Sequence, residues 1–220
     1  MAETPVKTFA DPLLERNPVI YQMLGICPAL AISTAMENAL AMGLATAAVL
    51  AVSNTAISGI RNLVPENVRI IIYLVIVASL VIIADQVLRT FFPDLSQALS
   101  VYVGLIITNY IVLGRAEAYA MEHGPGKSFL DGLGHGLGYS LILIVVATVR
   151  ELIGSGSLLD HQIFPLAKEG GWYEPNGLLL LAPGAFFLIG LIIWVVRAWK
   201  PAQVEKPEYQ IQVVHRTEVV

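Results

Sequence analysis

Cysteine is almost absent from this chain: Cys27 is the only one in 220 residues. A single thiol excludes an internal disulfide, and it excludes a Cys₂ or Cys₄ metal site built by the chain alone. Charge is also scarce. Asp, Glu, Lys and Arg make up 14% of the residues, against about 25% in a soluble domain. No HExxH motif, nucleophile–base pair or basic run is present, so the chain carries neither hydrolytic chemistry that works alone nor a nucleic-acid face. The first sixteen residues are mixed and polar with no apolar signal core, so no cleavable signal is expected.

What the chain has is apolar length. It is 56% hydrophobic with a mean hydropathy of +0.70, and its charges fall in short clusters between long apolar runs. This predicts an all-α integral membrane protein. Six transmembrane spans are expected, over about Pro18–Met36, Asn38–Ile60, Arg69–Leu88, Ala98–Leu113, Gly132–Ile153 and Gly177–Trp199. Most approach the roughly 20 residues that a spanning helix needs. Met1–Arg16 and Pro201–Val220 read as exposed tails around a membrane domain over 17–200, with the second half beginning near residue 94.

Cation counting sets the expected orientation. With the N-terminus in the cytoplasm, the inside holds Lys7, Arg16, Arg61, Arg69, Arg115, Lys127, Arg197, Lys200, Lys206 and Arg216. The outside holds only Arg89, Arg150 and Lys168. That asymmetry predicts cytoplasmic N- and C-termini. Trp172, Tyr173, Trp194 and Trp199 suit interfaces, and the long connection Gly154–Asn176 is expected on the membrane surface.

The first span holds the thiol. Gly25, Cys27 and Pro28 lie in its middle. Proline removes a backbone donor and disfavours the helical conformation of the residue before it, so the expected break falls at Cys27–Pro28. Such a break at membrane depth is tolerated where protein covers it or where it lines a wet cavity.

A weak internal repeat adds a second break. Gly25–Leu30 matches Ile107–Leu113 in place, Ser58–Leu63 matches Ala147–Leu152, and the third and sixth spans both end on arginine, at Arg89 and Arg197. Three spans per half means that the second half enters from the opposite side. The expected architecture is therefore an inverted 3+3 repeat (17–93 and 94–200) with discontinuous first and fourth helices. The two breaks carry Cys27 and, in the matching place, Asn109 and Tyr110.

The remaining candidates have plain readings beside sharper ones. Asp85 and Arg89 share a helix face and are expected to pair, with sodium passage as the sharper role. Arg115 and Glu117 would flank the cytoplasmic mouth, either as a docking patch or as ordinary loop charges. Glu37 lies with Ser33 and Thr34 at the junction of spans one and two, where Thr34 or Asn38 could cap the next helix, with ion binding as the sharper role. Gly132, Gly134, Gly136 and Gly138 surround His135 without a preceding strand. This is not a phosphate loop, and the small-xxx-small spacing predicts close helix packing around a packed histidine.

Several motifs together resemble one family. They are Leu24-Gly25-Ile26-Cys27, Ser58-Gly59-Ile60-Arg61-Asn62, Val68-Arg69-Ile70-Ile71, Leu105-Ile106-Ile107-Thr108-Asn109, Gly114-Arg115-Ala116-Glu117-Ala118 and Gly171-Trp172-Tyr173-Glu174-Pro175-Asn176-Gly177. They resemble the Nqr D/E and Rnf A/E membrane subunits, in the D form of the sodium-pumping NADH:quinone reductase, over about Asn17–Val204. The Gly171–Gly177 stretch and the Lys200-Pro201 exit are closer to the Nqr form.

The resemblance implies a six-subunit complex in the bacterial inner membrane. That complex oxidises NADH with ubiquinone and exports Na⁺, and other subunits hold the NADH, flavin and quinone contacts. It also implies a sister chain, the E-type subunit, of opposite topology. Each sister would offer one cysteine from each of two broken helices, together holding a midplane iron centre, either a 2Fe–2S cluster or a single iron.

Here the first metal ligand maps onto Cys27, but the family's second cysteine is replaced by Tyr110. Three outcomes stay open: Tyr110 as an unusual fourth ligand, a weaker or labile iron, or a variant that has lost the centre. The alternative functions are an Rnf-type ferredoxin:NAD oxidoreductase subunit, an inverted-repeat secondary transporter, or a purely structural anchor.

Overall fold

The structure, a computed structural model, describes residues 9, 11–13, 17–91, 102–159, 161–164 and 173–200. The tail over 201–220, most of 1–16 and the Trp172 position lie outside the described residues. The helices are α1 (Ile26–Ile32), α2 (Met36–Ile60), α3 (Arg69–Phe91), α4 (Tyr110–Arg115), α5 (Pro125–Gly154), α6 (Gly177–Leu180) and α7 (Ala182–Trp199). Residues 102–107 are also helical, and a π-helical turn, Ala116–Ala120, continues α4. After α5, a small antiparallel hairpin pairs β1 (Ser157–Leu158) with β2 (His161–Gln162).

Among the described residues, four helices are long and apolar enough to cross a membrane: α2, α3, α5 and α7. The antiparallel pair α2 and α5 forms the centre. Its contact surface is made of small residues. A Cβ on Gly132 would lie 2.7 Å from the Cα of Ala51, one on Gly136 would lie 2.5 Å from the Cα of Ala47, and Gly43 meets Ser140 in the same way. Backbones this close gain dispersion contacts that larger side chains would prevent. The alternating glycines serve a second partner as well. Gly134 and Gly138 abut the backbone oxygens of Phe9 and Pro12. The described part of the N-terminal stretch is thus packed against α5 rather than exposed, with Pro12 buried.

The outer helices bury much less. α3 exposes Ile71, Val75, Ile82 and Ile83, and α7 exposes Phe186, Phe187, Leu191 and Trp194. In a bilayer such faces meet lipid or another subunit.

Across the fold α1 packs on α7, α4 packs on α3, and the long helices α2 and α5 meet each other.

Two segments are interrupted rather than straight. The first turns through Met23 (φ 54°) and Gly25 (φ 76°) before α1 begins, and the second breaks at Thr108–Asn109 before α4 begins. The proline reading needs correction. Cys27 is helical, and Pro28 is the third residue of α1. First-turn N–H groups have no intrahelical acceptor, so proline there costs no hydrogen bond. The break lies upstream, at the left-handed glycine.

Two further expectations change. The fifth span begins before Gly132, because Gly124 is the N-cap and Pro125 the first residue of the 30-residue α5. Neither Thr34 nor Asn38 caps α2. Its N-cap is Ala35, and the carboxylate of Glu151 supplies the missing acceptor, taking the N–H of Met36 at 2.6 Å.

Candidate functional site

The two breaks meet. A Cβ on Gly25 would come within 2.5 Å of Ile111 Cδ1 and 3.0 Å of Tyr139 Cε2. Only glycine fits there, because it accepts the positive φ and it lets Ile111 and Tyr139 close on the backbone. On the other side of the junction Asn109 caps α4, its Oδ1 accepting the N–H of Ile111 at 3.2 Å. Asn109 Nδ2 and the Tyr139 hydroxyl are both buried and have no hydrogen-bond partner among the described residues.

Tyr139 also sets the depth of the junction. It stands at position 139 of α5, between Pro125 and Gly154, which puts about 14 residues on one side and 15 on the other. At about 1.5 Å per residue the junction is roughly 21 Å from either end. The meeting point of the breaks is therefore near mid-helix.

Both candidate ligands lie on the first turns that follow the breaks. Cys27 is the second residue of α1 and is exposed. Tyr110 is the first residue of α4, and 67% of its surface is open. Neither has a side-chain hydrogen bond among the described residues. In a bilayer these faces stay open to acyl tails unless another chain covers them.

The donor set can be tested for an iron centre. Among the described residues no group of three His, Cys, Asp or Glu side chains converges on a metal position. Thiolates are the usual ligands of small iron clusters. Cys27 fits one such position in a site completed by another chain, because it is exposed and held at mid-helix depth. Tyr110 brings a hard oxygen in place of a second sulfur.

The other candidates are mostly structural. Arg89 Nε donates to Asp85 Oδ2 at 2.8 Å, the expected i,i+4 pair. Glu117 pairs with Arg69. Arg115 grips Asp131 through Nε at 3.0 Å and Nη2 at 2.6 Å. His135 is buried beside Asp131, its Nδ1 3.0 Å from that residue's backbone oxygen. Glu37 lies in the first turn of α2, where the helix dipole favours a carboxylate. It rims an apolar groove lined by Leu40, Leu44, Val87 and Leu88, which offers no polar ligand set.

Three residues that hold this region together are not legible as such in the sequence: Tyr139, Arg150 and Glu151. Cation counting places Arg150 on the outer side, at the end of the fifth span, and in the fold it is fully buried. The usable signal is the repeat match of Ala147–Leu152 with Ser58–Leu63, which puts an arginine at equivalent points in both halves.

A family model described as Rnf-Nqr subunit, membrane protein, matches residues 5–193. The D subunit of the Na(+)-translocating NADH-quinone reductase of Photobacterium profundum is 57% identical over 202 residues, covering 92% of this chain and 96% of that protein. The protein of the same name from Yersinia enterocolitica serotype O:8 / biotype 1B is 57% identical over 200 residues, covering 91% and 96%.

Proposed function

Because the chain belongs to the Rnf-Nqr family of membrane-protein subunits, we propose that it is the D-type membrane subunit of a sodium-translocating NADH:ubiquinone oxidoreductase. The activity is that of the assembled translocase, and this chain contributes a membrane-embedded part of it. Both relatives carry the sodium-translocating name, which favours this reading over the Rnf-type one.

In the finer reading, the two interrupted segments complete six passes and the halves form an inverted 3+3 repeat. The reciprocal packing of α1 on α7 and of α4 on α3 supports it, as does the central α2–α5 pair. The excess of Lys and Arg in the loops assigned to the cytoplasm supports N- and C-termini inside a bacterial inner membrane.

The working site is the junction of the breaks. Gly25, Ile111 and Tyr139 hold it closed, and Asn109 caps the second half-helix. From this junction Cys27 offers its thiol to the oppositely inserted E-type sister, as one ligand of a shared iron centre. Tyr110 faces outward from the matching place. When bound, the iron would supply a one-electron carrier part-way across a hydrocarbon core of about 30 Å, too wide for one fast electron hop. This chain's residues fix the position and depth of that thiol, and the mid-helix placement of Tyr139 is the observation that carries the reading.

The test is complementation of a strain lacking the D subunit, followed by sodium-stimulated NADH:quinone reductase activity in its membranes. Restored activity supports the assignment, and assembled complex with no sodium-stimulated turnover contradicts it.

A further inference from the structure

Arg150 is the largest fully buried side chain among the described residues. A buried cation is costly unless its donors are all engaged. Here the guanidinium reaches two segments from opposite halves of the fold. Nη1 donates to Leu30 O at 3.0 Å and to Ser33 Oγ at 2.6 Å, at the C-terminal end of α1. Nε donates to Leu179 O at 2.9 Å, and Nη2 donates to Leu180 O at 2.7 Å and Leu181 O at 3.3 Å, where α6 ends and α7 begins. The last carbonyls of a helix lack intrahelical donors, and they carry the negative end of its dipole. The planar fork of Arg150 answers both helix ends at once. Ser33 is fixed in turn, its hydroxyl donating to Ala29 O at 2.5 Å.

α1 has only seven residues and begins at a left-handed glycine, so little within it sets its own tilt or register. One end is held by the Gly25–Tyr139 contact and the other by Arg150. We propose that Arg150 is the positioning residue for the thiol of this subunit: by tying the C-terminus of α1 to the junction of α6 and α7 at Leu179–Leu181, it fixes where Cys27 stands. The consequence for a metal rests on the reading of Cys27 as a ligand, while the positional claim does not.

The neighbouring Glu151 provides the control. Its carboxylate takes Met36 N–H and Leu159 N–H, at 2.6 and 2.8 Å, and neither of these donors belongs to α1. The experiment uses the intact purified complex. It measures the rate of Cys27 alkylation by N-ethylmaleimide, from the mass of the Cys27 peptide, together with the iron content. Arg150→Met leaves buried carbonyls unanswered, and the expected rise in rate is about tenfold. Arg150→Lys retains the charge but cannot fork to both helix ends, so a rise of about threefold is expected. Glu151→Gln should leave the rate unchanged.

Rates within about twofold of native in both arginine variants would overturn the proposal. So would an equal rise in Glu151→Gln, because the loosening would then be general. If Arg150→Met fails to assemble, Arg150→Lys decides by the same twofold line. A native complex without iron would remove the metal reading of Cys27, yet the ratio of alkylation rates would still report on Arg150.

Discussion

Gly25 and Tyr139 touch where the first interrupted segment crosses the middle of α5, with 3.0 Å between an added Cβ and the tyrosine ring. Ile111 closes the same gap from the second interrupted segment at 2.5 Å. Gly25→Ala must therefore clash with both, and it must hold a positive φ that side chains resist. The expected cost is about 2–4 kcal/mol. Gly59→Ala, with nothing within 4 Å, is the matched control and should be silent. Thermal dissociation of the purified complex reads both.

The α2–α5 stripe makes a steeper prediction. Gly136→Leu would drive a side chain into the Ala47 backbone. No rotamer of an opposing flexible side chain can relieve that, so helix separation is expected. The chain should be lost from the membrane, as detected by immunoblot of whole membranes. Gly126→Leu, which meets open space, should accumulate normally.

Much of this frame is legible in the sequence, and the parts that are not share a cause. Apolar run length marks the four long helices, and the four alternating glycines mark the close packing. The i,i+4 rule finds Asp85–Arg89. Pro28 misleads because the effect of a proline depends on where its helix starts. That start is set by the contact of Gly25 with Tyr139 and Ile111, more than eighty residues away in sequence. Arg150 misleads in a similar way. Cation counting treats an arginine near a span's end as an outer charge, and the carbonyls that satisfy it come from two distant segments. Local rules seek the cap of α2 in nearby side chains, but Glu151 provides it from α5. In each case a tertiary partner takes over a role that local rules assign to neighbours.

The two ion pairs near the α4 end should behave differently. Arg115 and Asp131 are largely buried and bidentate, whereas the Arg69 and Glu117 side chains are 37% and 47% open. Asp131→Ala strands a buried guanidinium and should cost about 3–5 kcal/mol. Glu117→Ala should cost less than about 1 kcal/mol. Thermal dissociation of the complex in detergent separates the two, and equal effects would contradict the burial difference.

Tyr110→Cys tests the departure at the second break. Tyr110 opens α4 with its side chain exposed, so the substitution should be tolerated without loss of assembly. A second sulfur in place of a phenol suits iron better. The variant complex should therefore lose iron to a chelator more slowly than the native one. Faster loss would show that the phenol is itself the better ligand here.

The thiol at the middle of the fold is the point on which the account turns. The most direct test is iron analysis with electron paramagnetic resonance of the intact complex, native against Cys27→Ala. The account predicts an iron signal in the native complex that disappears in the variant while all subunits remain assembled. An unchanged iron content and spectrum in Cys27→Ala would contradict it.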